Sequence, residues 1–385
     1  MLSKLFRDFF NSERAGGLVL IICTIISLLL ANSAIKDTYI NFWNSSFNGH
    51  SYTHWINDGL MAIFFLLIGL ELEREVYAGE LSNVRKALFP GIAALGGVLV
   101  PAGIYLIFNY GTTLQSGAGI PMATDIAFAI GVLSLLGNRV PANLKIFITA
   151  LAVIDDLFAI LVIALFYSTG ISWLYLAVAA LIFSLMLLMN KCKVNILLLY
   201  IIGGVGLWYC MLHSGVHASI AGVLTAFAIP FGNGDSKSIS YKLQHFLHKP
   251  VAFFIVPVFA LANTALHIAP GWLQQLQSSE GIGIIAGLVA GKPIGILLFA
   301  GMAVWMRFCS LPPGLNWKHI AGTGMLAGIG FTMSIFVALL AFNDGDSINT
   351  AKISIIAASI IAATCGLTVL KIILNKKIVV TDEEQ

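Results

Sequence analysis

The chain has 385 residues, of which 58% are hydrophobic and 10% charged, against about 25% charged in an ordinary soluble domain. A mean hydropathy of +0.92 spread over the whole length excludes a water-soluble globule and a single-anchor protein, and leaves no room for a large catalytic or nucleic-acid-binding domain. The net charge of +3 names no partner by itself, and the five cysteines suggest neither a disulfide framework nor a zinc spacing.

A membrane-spanning helix takes about 20 apolar residues. Apolar runs between polar punctuation predict twelve such spans, at 15–32, 58–78, 88–109, 120–136, 144–167, 172–189, 195–212, 215–230, 250–268, 281–304, 319–342 and 349–374. The chain opens on the amphipathic stretch MLSKLFRDFFNSER, and the run after it is long enough to span, so it reads as a retained signal anchor rather than a cleaved peptide. The gap at 33–57 contains YINFWNSSFNGHSYTHWI, where Asn48 and Gly49 between aromatic and β-branched residues predict a small extracytoplasmic β-hairpin at 40–56. In the second span Asp58 and Glu71 bracket MAIFFLLIGL. Glu71, Arg74 and Glu75 follow at i, i+3 and i+4 and form a charged patch on one helix face.

Farther along, Asp125 sits in AGIPMATDIAFAIGVLSLLG, and HIAGTGMLAGIGFTMSIF carries Gly322, Gly324, Gly328 and Gly330. Short, glycine-interrupted apolar segments in the two halves of a chain predict discontinuous helices that cross near the bilayer midplane, here spans 4 and 11. Asp155 and Asp156 lie within span 5. Adjacent on a helix, they diverge by about 100° and can flank one cavity, and two carboxylates so close resist ionising together and titrate as a coupled pair. Lys292 has about eleven residues of span 10 on either side, some 16 Å of helix, so its stem is too short to reach water. It must pair with a carboxylate or stay neutral. Each of these four charges costs about 2.5–3.5 kcal/mol at a helix centre, about 10–14 kcal/mol together, which excludes accident as their origin. His217, in HSGVHASIAG, serves as a hydrogen-bonding group or as a pH-sensitive one.

Eighteen of the 21 basic residues, from Lys4, Arg7 and Arg14 to Lys371, Lys376 and Lys377, fall at the termini and in the even-numbered gaps. Lys36 and Lys352 are assigned to the opposite side, and Lys292 is inside. By the positive-inside rule both termini are cytoplasmic.

The strings FFLLIGLELERE, PMATDIAFAIGVLSLLG, ALAVIDDLFAI, HSGVHASIAGV, VPVFALANTAL, AGKPIGI and AGIGFTMSIF resemble those of the bacterial NhaA family of sodium/proton antiporters, over essentially the whole chain. That family is itself a known case of the broken-helix architecture. The resemblance implies an all-α polytopic membrane protein with inverted-topology repeats at 88–167 and 281–374. It further implies a hairpin-mediated homodimer in the bacterial inner membrane, surrounded by lipid. Sodium or lithium would leave the cell in exchange for protons, electrogenically and under pH control, driven by the proton gradient and serving sodium and pH homeostasis and salt tolerance. Asp155 and Asp156 would bind the cation and the protons, with Thr124 and Asp125 in the first broken helix. Lys292 would balance the helix dipoles, pair with Asp155 or carry a proton. Asp58, Glu71, Arg74, Glu75 and His217 would belong to the cytoplasmic funnel, pH response or translocation, as would His245 and His248 in SYKLQHFLHKP. Well-known relatives carry an acid where this chain has Gln244, which bears on pH sensing through that loop. No cofactor and no nucleic acid is implied, and the resemblance implies a transporter rather than an enzyme.

Three other classes compete. An intramembrane aspartyl protease needs aspartates opposed across two helices in motifs such as G-x-G-D, which this chain lacks, and a passive channel needs a continuous polar pore. A sodium-coupled carrier of an organic anion on the same fold would call for more Ser, Thr and Asn at the crossing and less paired acid.

Overall fold

The computed structural model describes residues 13–168, 170–232, 234, 237–268 and 270–375. The amphipathic N-terminal stretch through residue 12, including Lys4 and Arg7, and Lys376 and Lys377 lie outside the described residues. The protein is an all-α polytopic membrane protein. Among the described residues nine helices are long and apolar enough to cross a bilayer, and up to eleven if each of two bent pairs is one span. The difference from the twelve expected spans is clearest at 215–230. Gly215, at φ +81°, ends the preceding helix, and the helix that follows is only the nine residues Ile220–Ala228, about 14 Å against a hydrocarbon core of about 30 Å.

In chain order the elements are α1 (Glu13–Ala31), α2 (Lys36–Asn44), β1 (Ser46–Phe47), β2 (His50–Ser51), α3 (Tyr52–Tyr77), α4 (Val84–Asn109) and α5 (Ile126–Ser134). They continue with α6 (Ala142–Phe166), α7 (Trp173–Lys191), α8 (Leu197–Ser214), α9 (Ile220–Ala228), α10 (Ile239–Asn263), α11 (Trp272–Leu276), α12 (Ser279–Trp305), α13 (Trp317–Ala327), α14 (Phe331–Ala341) and α15 (Gly345–Asn375). The two strands pair antiparallel, Ser46 with Ser51 and Phe47 with His50, around Asn48 at φ +52° and Gly49 at φ +86°. The pairing is far shorter than 40–56. Residues through Asn44 are helical, and Ser51 caps the next helix by accepting from the His54 N–H at 3.1 Å.

The chain divides into two compact units. One holds the described residues up to Ile22, Asn83–Ala159 and those from Ile268 on; the other holds Cys23–Ser82 and Ile160–His267. In the first unit α4 and α12 approach backbone to backbone. A Cβ on Gly295 would stand 2.1 Å from the Gly96 carbonyl oxygen, so neither position admits a side chain without parting the helices. In the second unit Ser27 and Tyr39 donate to the Leu261 carbonyl at 2.8 and 3.1 Å, and the Asn263 amide donates to Asn57 at 2.8 Å. Such bonds tie span to span where lipid gives no hydrophobic drive between helices. Burial separates inner from outer spans: two thirds of the most apolar stretch of α6 is buried (67%), but only 11% of that of α7, whose Leu174, Leu181 and Leu188 are exposed and suit contact with acyl chains.

Candidate functional site

Two breaks in the first unit face each other. Ahead of α5 the chain runs as a 3₁₀ turn over Gln115–Met122, with Pro121 inside it, and then extends through Ala123 to Asp125. Pro121 has no N–H to continue a helix, and Asp125, with its β-region backbone, starts α5 as its N-cap, accepting from the Phe128 N–H at 2.9 Å. On the partner segment α13 and α14 meet at 49° across Gly328–Gly330. A Cβ on Gly328 would stand 2.4 Å from the Leu288 carbonyl oxygen, so that break is held open by close packing.

Each break answers the other's loose polar groups. The Asp125 N–H donates to the Ile329 carbonyl at 2.7 Å, the Thr332 N–H and hydroxyl donate to Asp125 Oδ2 at 3.0 and 2.5 Å, and the Ser334 hydroxyl donates to the Ile120 carbonyl at 2.7 Å. A buried acceptor left without its donors costs about 1–3 kcal/mol, so Asp125 and Thr332 brace the crossing by satisfying each other. Thr332 and Ser334 were not singled out from the sequence; two hydroxyls inside GFTMSIF, opposite a predicted break that carries an aspartate, were the available signal.

Thr124, one residue earlier, turns to Asp155. Its hydroxyl lies 2.7 Å from Asp155 Oδ2 and 2.8 Å from the Ala327 carbonyl, and with a single hydrogen it can donate to only one of them at a time. Lys292 Nζ donates to the same Oδ2 at 2.5 Å. Both charged side chains are fully buried. The local fold explains the placement of the lysine. Pro293 offers no N–H, and the turn just before it, Gly287–Gly291, is a π-turn closed by the Lys292 N–H on the Gly287 carbonyl; such turns recur at functional sites. Asp155 Oδ1 is buried and has no hydrogen-bond partner. Asp156, the next residue of α6, is 1% exposed. The predicted Asp155, Thr124 and Lys292 therefore form one chain of contacts, with Asp156 beside it and Asp125 engaged by Thr332.

In the second unit Asp58 lies 3.4 Å from His54 and 3.6 Å from His217, and the His217 ring is 2.7 Å from the Ser219 hydroxyl. Glu71 lies 3.8 Å from His248. The Arg74 guanidinium sits 5.4 Å above the Tyr241 ring, which stacks on His245; Glu75 is half-buried, as is Gln244. Sequence reasoning passed over Glu73, which is 4% exposed and accepts from the Ser240 hydroxyl at 3.3 Å. Two residues from Glu71, it points to the opposite, packed side of the helix. Among the described residues no cluster of three or more His, Cys, Asp or Glu side chains could hold a metal ion.

Comparison with known proteins finds relatives over nearly the whole chain. The family model described as Na+/H+ antiporter 1 matches residues 7–370. The Na(+)/H(+) antiporter NhaA of Flavobacterium psychrophilum is 58% identical, covering 98% of this chain and 98% of the relative. The protein of the same name from Cytophaga hutchinsonii is 60% identical over 97% of each, and that of Dechloromonas aromatica 56% over 95% of each.

Proposed function

The chain belongs to the Na+/H+ antiporter 1 family, and from that premise we propose that it exchanges cytoplasmic sodium, or lithium, for external protons at Asp155 and Asp156. The observation that carries the reading is the state of the Asp155 carboxylate. One oxygen is engaged by Lys292 and Thr124, while the other is buried with no hydrogen-bond partner, one residue from a second buried carboxylate. A hard cation that gives up its water needs oxygen ligands, and Asp155, Asp156 and Thr124 supply three.

Sodium and protons then exclude one another, because a carboxylate oxygen that has taken a proton no longer ligates the ion as an anion. Thr124 can follow the exchange. Its hydrogen goes to Asp155 when that group is ionised, and to the Ala327 carbonyl when Asp155 carries a proton of its own. If two protons replace one sodium, each cycle moves one net charge, worth about 2.3 kcal/mol per 100 mV, and an inside-negative membrane drives sodium outward. The protons sit on the two aspartates, or one sits on Lys292 and leaves when sodium takes its place beside Asp155. The protein acts as a carrier rather than an enzyme, with no resident cofactor.

The same reading takes 88–167 and 281–374 as inverted repeats. Both stretches run as a span, a broken span and a span: α4, the segment ending in α5, and α6, then α12, the α13 and α14 pair, and α15. It places the protein in the bacterial inner membrane with cytoplasmic termini, as a homodimer joined at the hairpin, and gives Asp58, Glu71, Arg74, Glu75, His217, His245 and His248 to the cytoplasmic funnel, pH response or translocation, Gln244 making that loop less acidic. A carrier of an organic anion is not favoured, since the matched relatives are named for sodium/proton antiport.

Proteoliposomes under an imposed sodium gradient test the proposal. Asp156→Asn should abolish sodium-driven proton movement, and Lys292→Gln should leave electroneutral exchange if the lysine carries the second proton. Exchange of normal size in Asp156→Asn would remove this site from the mechanism.

A further inference from the structure

A second arrangement of acids in the first unit takes no part in the exchange just described. A cavity of about 480 Å³ opens beside the N-terminal ends of α12 and α15, and its wall includes Gln274, Gln275, Ser278, Glu280, Asp346 and Thr350. Glu280 stands in the first turn of α12 and is only 3% exposed. Acids at a helix start commonly offset the dipole or satisfy its free N–H groups, and that accounts for Asp344, just ahead of α15, which accepts from the Ser347 N–H at 2.8 Å. It does not account for Glu280. The cap of α12 is already made by Ser278, which accepts from the Gly281 N–H at 3.0 Å, and Glu280 Oε1 is buried with no hydrogen-bond partner.

No basic side chain pairs with Glu280 among the described residues, and Lys352, though buried on α15, makes no ion pair with it. Asp346 adds a second carboxylate from the exposed start of α15, and the rest of the polar wall is amide and hydroxyl. A buried carboxylate that lacks a partner needs a counter-charge or a proton, and the carboxylate, hydroxyl and amide oxygens of this wall are the donor types that hard metal cations take. We propose that this cavity binds a hard, oxygen-ligated metal cation, with Glu280 as its principal ligand and Asp346 at the mouth. The volume holds the ion with part of its water shell, and the charge pattern of the chain places this end of the helices outside the cell. The inference does not depend on what Asp155 and Asp156 transport.

Terbium(III), a luminescent probe for oxygen-ligated cations, tests it on the purified full-length protein. Trp272 follows Gly271 in the cavity wall and can sensitise the bound ion. A saturable signal is expected in the wild type. Glu280→Gln, which keeps the side-chain volume, should weaken it at least tenfold, and Asp346→Asn should weaken it several-fold. Displacement by submillimolar calcium identifies a divalent ion as the occupant, whereas displacement only by sodium identifies the exported ion. Should Glu280→Gln fail to fold, as judged by its thermal unfolding, the exposed Asp346→Asn decides. Titrations unchanged in the folded variants, or no saturable signal in the wild type, would overturn the proposal.

Discussion

Removing the Lys292 charge should destabilise the protein more than it disturbs any contact outside the site. In Lys292→Met, Asp155 keeps its place at zero exposure and loses the ammonium that stood 2.5 Å from Oδ2; the Thr124 hydroxyl alone remains on that oxygen. A buried pair broken on one side costs about 3–5 kcal/mol. The alternative for Asp155 is to take a proton, and holding a carboxylate of ordinary acidity protonated at pH 7 costs about 4 kcal/mol, from 1.36 kcal/mol for each of roughly three units. Both routes give the same size of loss. Removing both charges, in Asp155→Leu with Lys292→Met, leaves neither group uncompensated, and replacing a buried pair by apolar residues is often neutral or stabilising. The double variant should therefore recover most of the stability lost in either single one, a coupling of at least about 2 kcal/mol, while exchanging no sodium. Reversible unfolding of the four proteins in mixed micelles, read as a double-mutant cycle, measures it. Additivity to within about 0.5 kcal/mol would refute the view that these two charges depend on each other for their burial.

Three further outcomes follow from the same geometry. Thr124→Ser keeps the hydroxyl between Asp155 and the Ala327 carbonyl and should retain sodium-driven proton flux, whereas Thr124→Val should lose most of it; equal flux in the two, measured in vesicles, would detach the hydroxyl from the exchange. Gly295→Val sets branched carbon against a carbonyl oxygen that even a Cβ would approach to 2.1 Å, so the variant should not yield a monodisperse folded protein on size-exclusion chromatography, while Gly103→Val, at a glycine with nothing within 4 Å of its Cβ position, should. Deleting residues 40–56 should lower the dimer fraction in crosslinking and leave exchange by each protomer in place; an unchanged dimer fraction counts against a hairpin-mediated contact.

What could be read from the sequence tracks how locally each feature is determined. The long apolar runs became α4, α6, α12 and α15 because unbroken apolar length by itself demands a helix in lipid. The run at 215–230 misled because its first residues, Gly215 to Ser219, are apart from His217 apolar or small enough to pass in a composition count yet form a turn before Ile220. Asn48 and Gly49 adopt positive φ, as their type favours, but strand length is a non-local matter, and the Ser51 cap diverts the chain into α3. Lys352 was assigned to an outside gap; α15 begins at Gly345, so the lysine lies two turns inside a helix and is buried. Glu280 fell one residue ahead of an expected span, and only the packing around the start of α12 shows that it is covered. At the centre, Asp155, Asp156 and Lys292 were legible because burying charge in lipid is costly enough that the sequence alone marks it. That Thr124 reaches Asp155 while its neighbour Asp125 reaches Thr332 depends on the extended backbone between Ala123 and Asp125, which residue types do not dictate.

The mutual dependence of the two breaks also bears on biogenesis. The Asp125 Oδ2 oxygen obtains its bonds from Thr332, 207 residues later in the chain, and at 5–20 residues per second that interval lasts about 10–40 s of synthesis. Throughout it the first broken segment has been made while the groups that satisfy it have not, and a non-helical backbone exposed to acyl chains is costly at every unsatisfied N–H and carbonyl. The newly made Ile120–Asp125 stretch must therefore wait beside water or the insertion machinery. Its release into lipid is timed by the arrival of a segment near the far end of the chain, so translation that stalls in between leaves a polar break stranded in the membrane, a ready mark for quality control.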